Sequence, residues 1–330
     1  MSADGGIPPV EDHGPALELT GADALLRRLE LTVRNKLDGL LQGNYLGLVP
    51  GPGSEAGEAR PYVFGDDVRR MDWPVTARTL TPHIRQTIAD RELETWVVVD
   101  LSASMDFGTA LTEKRELVLA AVTAITQLTV RGGNRVGAIV GNGQRSFLVP
   151  ARTGQAHGRY LARRVAQTPR AAADAPSSAT NSDIASMLEQ LRRPQRRRGL
   201  VAVVSDFMSA RHADGPLPWE RPLRALSARH QLLGVEILDP RELELPAAGL
   251  VTFVDTETGR QVEVQTSDPR VRARFAEAAA QQRARIATAL RHSGAGHLQL
   301  RTDRDWVDDV VRFVLARRRF EAGAAGVGGH

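Results

Sequence analysis

Cysteine is absent from the 330 residues, which excludes disulfides and thiolate-bound metal and accords with a reducing compartment. No apolar run approaches the ~18 residues that cross a bilayer. The richest stretch, Leu117 to Val130, is interrupted by Thr123, Thr126 and Gln127 and predicts a core helix instead. Residues Met1 to Pro15 are rich in Gly, Pro and acidic side chains, without the basic-then-apolar layout of a signal peptide. The expectation is a cytoplasmic chain with no membrane span. An excess of one sign of charge is also missing: Lys+Arg number 43 against 39 Asp+Glu, a net +4. That balance argues against the broad basic face of a nucleic-acid binder. Phosphate-cradling Gly-x-x-x-x-Gly-Lys-Ser/Thr, dinucleotide Gly-x-Gly-x-x-Gly after a strand, zinc-binding His-Glu-x-x-His and the Gly-x-Ser-x-Gly elbow do not occur either.

What is present centres on Glu94-Thr-Trp-Val-Val-Val-Asp100-Leu-Ser102-Ala-Ser104-Met105. The β-branched run through Val99 predicts a strand buried on both faces. Side chains at i, i+2 and i+4 of an extended segment point the same way, so Asp100, Ser102 and Ser104 converge at its carboxyl end. Oxygen-only donors suit a hard divalent cation, Mg²⁺ first, then Mn²⁺ or Ca²⁺. The bland alternative is that the Asp and serines turn the chain and cap the next helix. A second buried-strand run, Gly199-Leu-Val-Ala-Val-Val-Ser205-Asp206, again ends on a carboxylate, and Thr180-Asn-Ser182-Asp183 opens a helical pattern through Met187, Leu188 and Leu191.

Asp100-x-Ser102-x-Ser104, a hydroxyl residue opening a later helix, and an Asp ending a later strand together resemble the metal-ion-dependent adhesion site of von Willebrand factor A domains. The resemblance implies metal ligands Asp100, Ser102, Ser104, Ser182 and Asp206. At the third element the pattern normally carries Thr; counting back from Met187-Leu188 gives Ser182, with Thr180 as the other candidate.

Upstream, Arg60-x-Tyr62, Gly65-Asp66-Asp67, Asp72-Trp73 and Ala77-Arg78 form a dense polar segment, read as a buried Asp–Arg network that pins irregular chain to the main domain, with Trp73 buried in it. Followed by strand-like Pro82 to Glu94, this string resembles the signature of the bacterial family called domain of unknown function 58, over about Leu25 to Arg319. The resemblance implies a von Willebrand factor A-like fold and a non-enzymatic module that works with a MoxR-type AAA+ ATPase in assembly or maturation of protein complexes. Some members carry transmembrane helices at the amino end. A client carboxylate would complete the ion's coordination. The alternative is a Mg-dependent hydrolase or phosphatase using the same acids, although no accompanying Lys or further acid is fixed by motif.

The resulting expectation is an α/β chain with a mostly parallel sheet covered on both faces by helices. Residues 1–20 and 321–330 are expected to be disordered tails. Residues 21–93 form an extension that opens with an amphipathic helix (Leu26, Leu29, Val33, Leu37, Leu40 at 3–4 spacing) docked on the main domain, and residues 94–320 form that domain. The basic turn Arg196-Arg-Arg198 could meet phosphate or an acidic partner, although cations are favourable at a helix C-terminus in any case.

Overall fold

The computed structural model describes residues 19–37, 59–63, 68, 71–85, 93–131, 133–170, 183–192, 198–208, 216–254 and 261–327. Strands β1 (Ala59–Pro61) and β2 (His83–Arg85) form a small antiparallel pair. Next come β3 (Glu94–Asp100), β4 (Arg135–Gly141), β5 (Ser146–Arg152), β6 (Gly199–Ser205), β7 (His230–Leu238), the hairpin β8 (Leu250–Val254) and β9 (Gln261–Gln265), and β10 (Ala295–Arg301). The main sheet runs in the order β10-β7-β6-β3-β4-β5. All its pairings are parallel except β4 with β5, which a tight turn around Gly143 joins, as Gly141-Asn142-Gly143 predicts.

β3 and β6 are buried along their whole length, which is why both read as continuous apolar runs rather than alternating ones. Their residues divide by parity. Val97 and Val99 with Leu200, Ala202 and Val204 enter one core, while Trp96 and Val98 with Val201 and Val203 enter the other. The first core is covered by the helices Lys114–Arg131, Gln155–Ala166, the start of Trp306–Val327, and the amino-terminal helix Leu19–Thr32. Leu26 and Leu29 of that last helix, and Val33 just beyond its end, are buried, so the segment docks as its periodicity predicts. The second core lies under Ile184–Leu191, Glu220–Ser227 and the end of Pro269–His292. Between β6 and β3 the approach is so close that a Cβ on Gly199 would lie 1.9 Å from the Glu94 carbonyl oxygen.

Two expectations require correction. Trp73 is not a buried anchor: it is 68% exposed, because it opens the short helix Trp73–Thr79, whose amino end Asp72 caps by accepting from the Val75 amide. Asp72 serves that cap; Asp66, Asp67 and Arg69 fall outside the described residues. At the other end, the last helix continues to Val327, into the stretch expected as a disordered tail, since the Ala-rich segment favours helix despite its glycines. Among the described residues no helix is long and apolar enough to cross a membrane.

Candidate metal centre

From β3 the chain moves outward through β4 and β5, then returns to build β6, β7 and β10 on the opposite side. The reversal lies between β3 and β6, and in open α/β sheets such a switch point leaves a crevice beyond the carboxyl ends of the strands. The parallel register pairs Val99 with Val204. Asp100 therefore ends β3 beside Ser205, and Asp206 comes one residue later.

The Asp100 carboxylate accepts from the Ser102 amide at 2.9 Å and, on its other oxygen, from the Ser205 hydroxyl at 2.7 Å. Ser102 and Ser104 hydroxyls stand 3.3 Å apart, and Ser104 hydrogen-bonds to Asp206. Their convergence arises differently from the expected extended strand. Ser102 is extended, but Ala103–Met105 forms a 3-10 turn, so Ser104 is brought round by the turn. The β4–β5 turn closes the site from the side. Gly143 adopts φ +84° there, and a Cβ on it would lie 3.5 Å from the Ser102 Cβ, a backbone that suits glycine.

Asp206 is almost wholly buried. Its Oδ1 accepts from the Met208 amide at 3.0 Å and its Oδ2 from Lys114 Nζ at 2.8 Å. Lys114, fully buried at the start of its helix, also donates to Glu242 Oε1 at 2.6 Å. Glu242 in turn accepts from the Asp239 amide at 3.1 Å, and Asp239 accepts from Thr109 and Thr302. Burial, the largest influence, would raise the Asp206 pKa, but the Lys114 charge together with the hydrogen bonds from Lys114, Met208 and Ser104 outweighs it, and the carboxyl is held below its ordinary value. Asp100 moves the other way: burial and then the neighbouring Asp206 charge push it up, against the Ser205 and Ser102 hydrogen bonds. For Lys114, burial is outweighed by its two carboxylates, and its pKa rises.

Four of the five expected ligands thus meet at one place: Asp100, Ser102, Ser104 and Asp206. Ser182 and its alternative Thr180 lie outside the described residues; the neighbouring Asp183 caps the Ile184–Leu191 helix by accepting from the Ser186 amide at 2.7 Å. Arg196 and Arg197 are likewise outside them. The donor set is all oxygen and fits a hard cation. Two carboxylates and hydroxyls make it up, for no cluster of three or more His, Asp or Glu suited to a metal exists among the described residues.

Ser205, Lys114 and Glu242 were not among the expected site residues. Ser205 follows from strand register, which sequence does not give. Lys114 had a weaker signal: it is one of only two lysines, with Lys36, in a chain otherwise dependent on arginine. A compact ammonium bridges two single carboxylate oxygens where a planar guanidinium would not fit the same role.

The chain is similar to several known proteins. An uncharacterized protein of Mycobacterium bovis and one of Mycobacterium tuberculosis are each 55% identical to the chain over 296 residues, 90% of this chain and 90% of theirs. Among solved structures, the chain is similar to the conserved hypothetical protein BatB from Bacteroides thetaiotaomicron (TM-score 0.40, 14% identity, 69% of this chain and 99% of that one). It is also similar to the SpRpn10 VWA domain (TM-score 0.36, 9% identity, 67% and 94%). The family model described as "Protein of unknown function DUF58" matches residues 58–285, well over half of the chain, and the chain belongs to that family.

Proposed function

We propose that the chain is a non-enzymatic, metal-dependent protein-binding module of the cytoplasm. In this reading Asp100, Ser102 and Ser104 hold Mg²⁺ (or Mn²⁺ or Ca²⁺), with Ser182 as a further ligand and Asp206 acting from behind. When bound, the ion supplies positive charge and coordination positions for a carboxylate from outside the chain, because Mg²⁺ keeps several non-protein ligands. The supporting observation is the meeting of Asp100, Ser102, Ser104 and Asp206 at the β3/β6 switch point, with both serines half-buried and both carboxylates deep. An outside group therefore approaches from the serine side. From the family resemblance, the partner is a MoxR-type AAA+ ATPase, and the client an assembling protein complex that offers an Asp or Glu side chain.

The hydrolase reading gains one point from the structure, since Lys114 and Glu242 are the lysine and further acid that it lacked. Against that, Lys114 is enclosed and committed to Asp206 and Glu242, so its ammonium does not face a substrate arriving at the serines.

The test is association of the full chain with the MoxR-type ATPase encoded in its host, in Mg²⁺ and in EDTA, alongside Asp100→Ala. Binding in Mg²⁺ alone, lost in Asp100→Ala with unchanged circular dichroism, is expected. Association indifferent to both would reject the reading. Turnover of a generic phosphoester by wild type, lost in Asp100→Ala, would favour the hydrolase.

A further inference from the structure

Lys114 is the one fully buried lysine at the candidate centre, and its position is not explained by metal ligation. Its Nζ lies 2.8 Å from Asp206 Oδ2 and 2.6 Å from Glu242 Oε1. With Met208 on Oδ1, both Asp206 oxygens have a protein donor. We propose that Lys114 is a resident cation that withholds Asp206 from direct coordination, weakening the site's grip on a divalent ion so that a carboxylate from outside is needed to hold it firmly. The inference rests on the metal-site reading of Asp100, Ser102 and Ser104, and adds the residue that sets affinity.

The physical reason is competition for one oxygen. A divalent cation bonded to Asp206 Oδ2 would share that atom with an ammonium, and like charges so close, on two buried side chains, repel strongly. Asp100 and the serines would then be the groups that hold a divalent ion, and Asp206 would act on it by charge rather than by a direct bond. Glu242 holds the lysine in place: it is anchored by the Asp239 amide, in a capping box on the 3-10 turn Pro240–Glu242. Lysine suits this task because its short-range point charge satisfies two carboxylates at once. With the ammonium removed, Asp206 Oδ2 loses its Lys114 partner and becomes a second carboxylate donor beside Asp100, a stronger set than one carboxylate with hydroxyls.

Mn²⁺ alone is the probe, titrated into the full chain by calorimetry, with melting temperature read in parallel with and without the ion. Wild type should bind weakly. Lys114→Met should bind at least ~10-fold tighter, since ten-fold is only about 1.4 kcal/mol. It should also show a larger Mn²⁺-induced rise in melting temperature, and Asp100→Ala in the same chain should reverse the gain. Lys114→Gln, which keeps an amide donor, should fall in the same direction if Lys114→Met does not fold. Should neither fold alone, refolding in millimolar Mn²⁺ should rescue them, because the ion would replace the ammonium. A folded Lys114→Met that binds no tighter than wild type, while wild type binds through Asp100, overturns the inference and leaves the metal site standing. Absence of Mn²⁺ binding by wild type and variant alike removes both. Variants that Mn²⁺ does not rescue also overturn it, by making Lys114 a structural counter-ion only.

Discussion

Ser205 reaches across from β6 to donate its hydroxyl to the Asp100 carboxylate at 2.7 Å, while the same oxygen accepts from the Phe207 amide at 2.9 Å. One side chain thereby fixes the carboxylate on β3 and the turn that carries Asp206. Ser205→Ala leaves a buried carboxylate oxygen and a buried amide each short of a partner, and each such loss costs about 1–3 kcal/mol. A destabilisation of roughly 2–4 kcal/mol in urea is expected from those two losses, with weaker Mn²⁺ binding, because Asp100 loses a donor that favours its ionised form. Ser205→Thr keeps the hydroxyl and should recover most of both. Equal losses in Ala and Thr would show that packing, not the hydrogen bond, matters there.

Phe207 is the residue on which that turn hinges. It is fully buried and packs on Trp219 with ring centroids 5.0 Å apart, yet its backbone sits at φ +56°. A left-handed conformation costs a non-glycine residue roughly 1–2 kcal/mol, and burial of the ring offsets it. Removing the ring should cost about 3–5 kcal/mol. Phe207→Gly, which relieves the backbone, is expected to be about 1 kcal/mol more stable than Phe207→Ala. This reverses the usual order of Ala and Gly, and denaturant melts of the two variants decide it.

How much of the molecule was legible in its sequence depended on whether the information was local. The β3 and β6 runs, the Lys114–Arg131 helix and the Asp100-x-Ser102-x-Ser104 string depend on periodicity and composition, and they lie where the sequence places them. Adjacency of Asp100 and Asp206 needed strand order, which the switch-point rule supplied as a condition. The Ser205 contact needed register as well, and the Lys114–Asp206–Glu242 chain joins residues 92 and 128 positions from Lys114, a distance over which no local pattern informs. Trp73 was misread for the same reason in reverse. An aromatic among charges is favoured by burial in general, but its position at the first turn of an exposed helix is a tertiary fact.

Glu236, on β7, gives the pH dependence that can be worked out most directly. Its side chain is fully buried and accepts from Arg283 at 2.8 Å, Gln299 at 2.8 Å and pairs with His297 at 2.8 Å. Arg283 also donates to the Asp206 carbonyl at 3.2 Å, so the cluster braces the turn at the candidate centre. Burial would raise the Glu236 pKa, but the His297 and Gln299 hydrogen bonds and the Arg283 charge together carry it below the ordinary 4.5. A carboxylate with a depressed folded-state pKa binds its proton more readily in the unfolded chain. Its contribution to stability is therefore complete above about 4.5 and is lost as the pH falls through the lower folded value. Glu236→Gln removes the titration while keeping the shape. At pH 7 the variant should be less stable, since breaking a buried pair costs about 3–5 kcal/mol and the amide recovers part of it. The gap to wild type should stay constant from about pH 7 down to about 5 and narrow below about 4.5. Urea melts across that range measure it, and a gap that stays constant down to about pH 3 would mean that the Glu236 carboxylate titrates alike in the folded and unfolded chain.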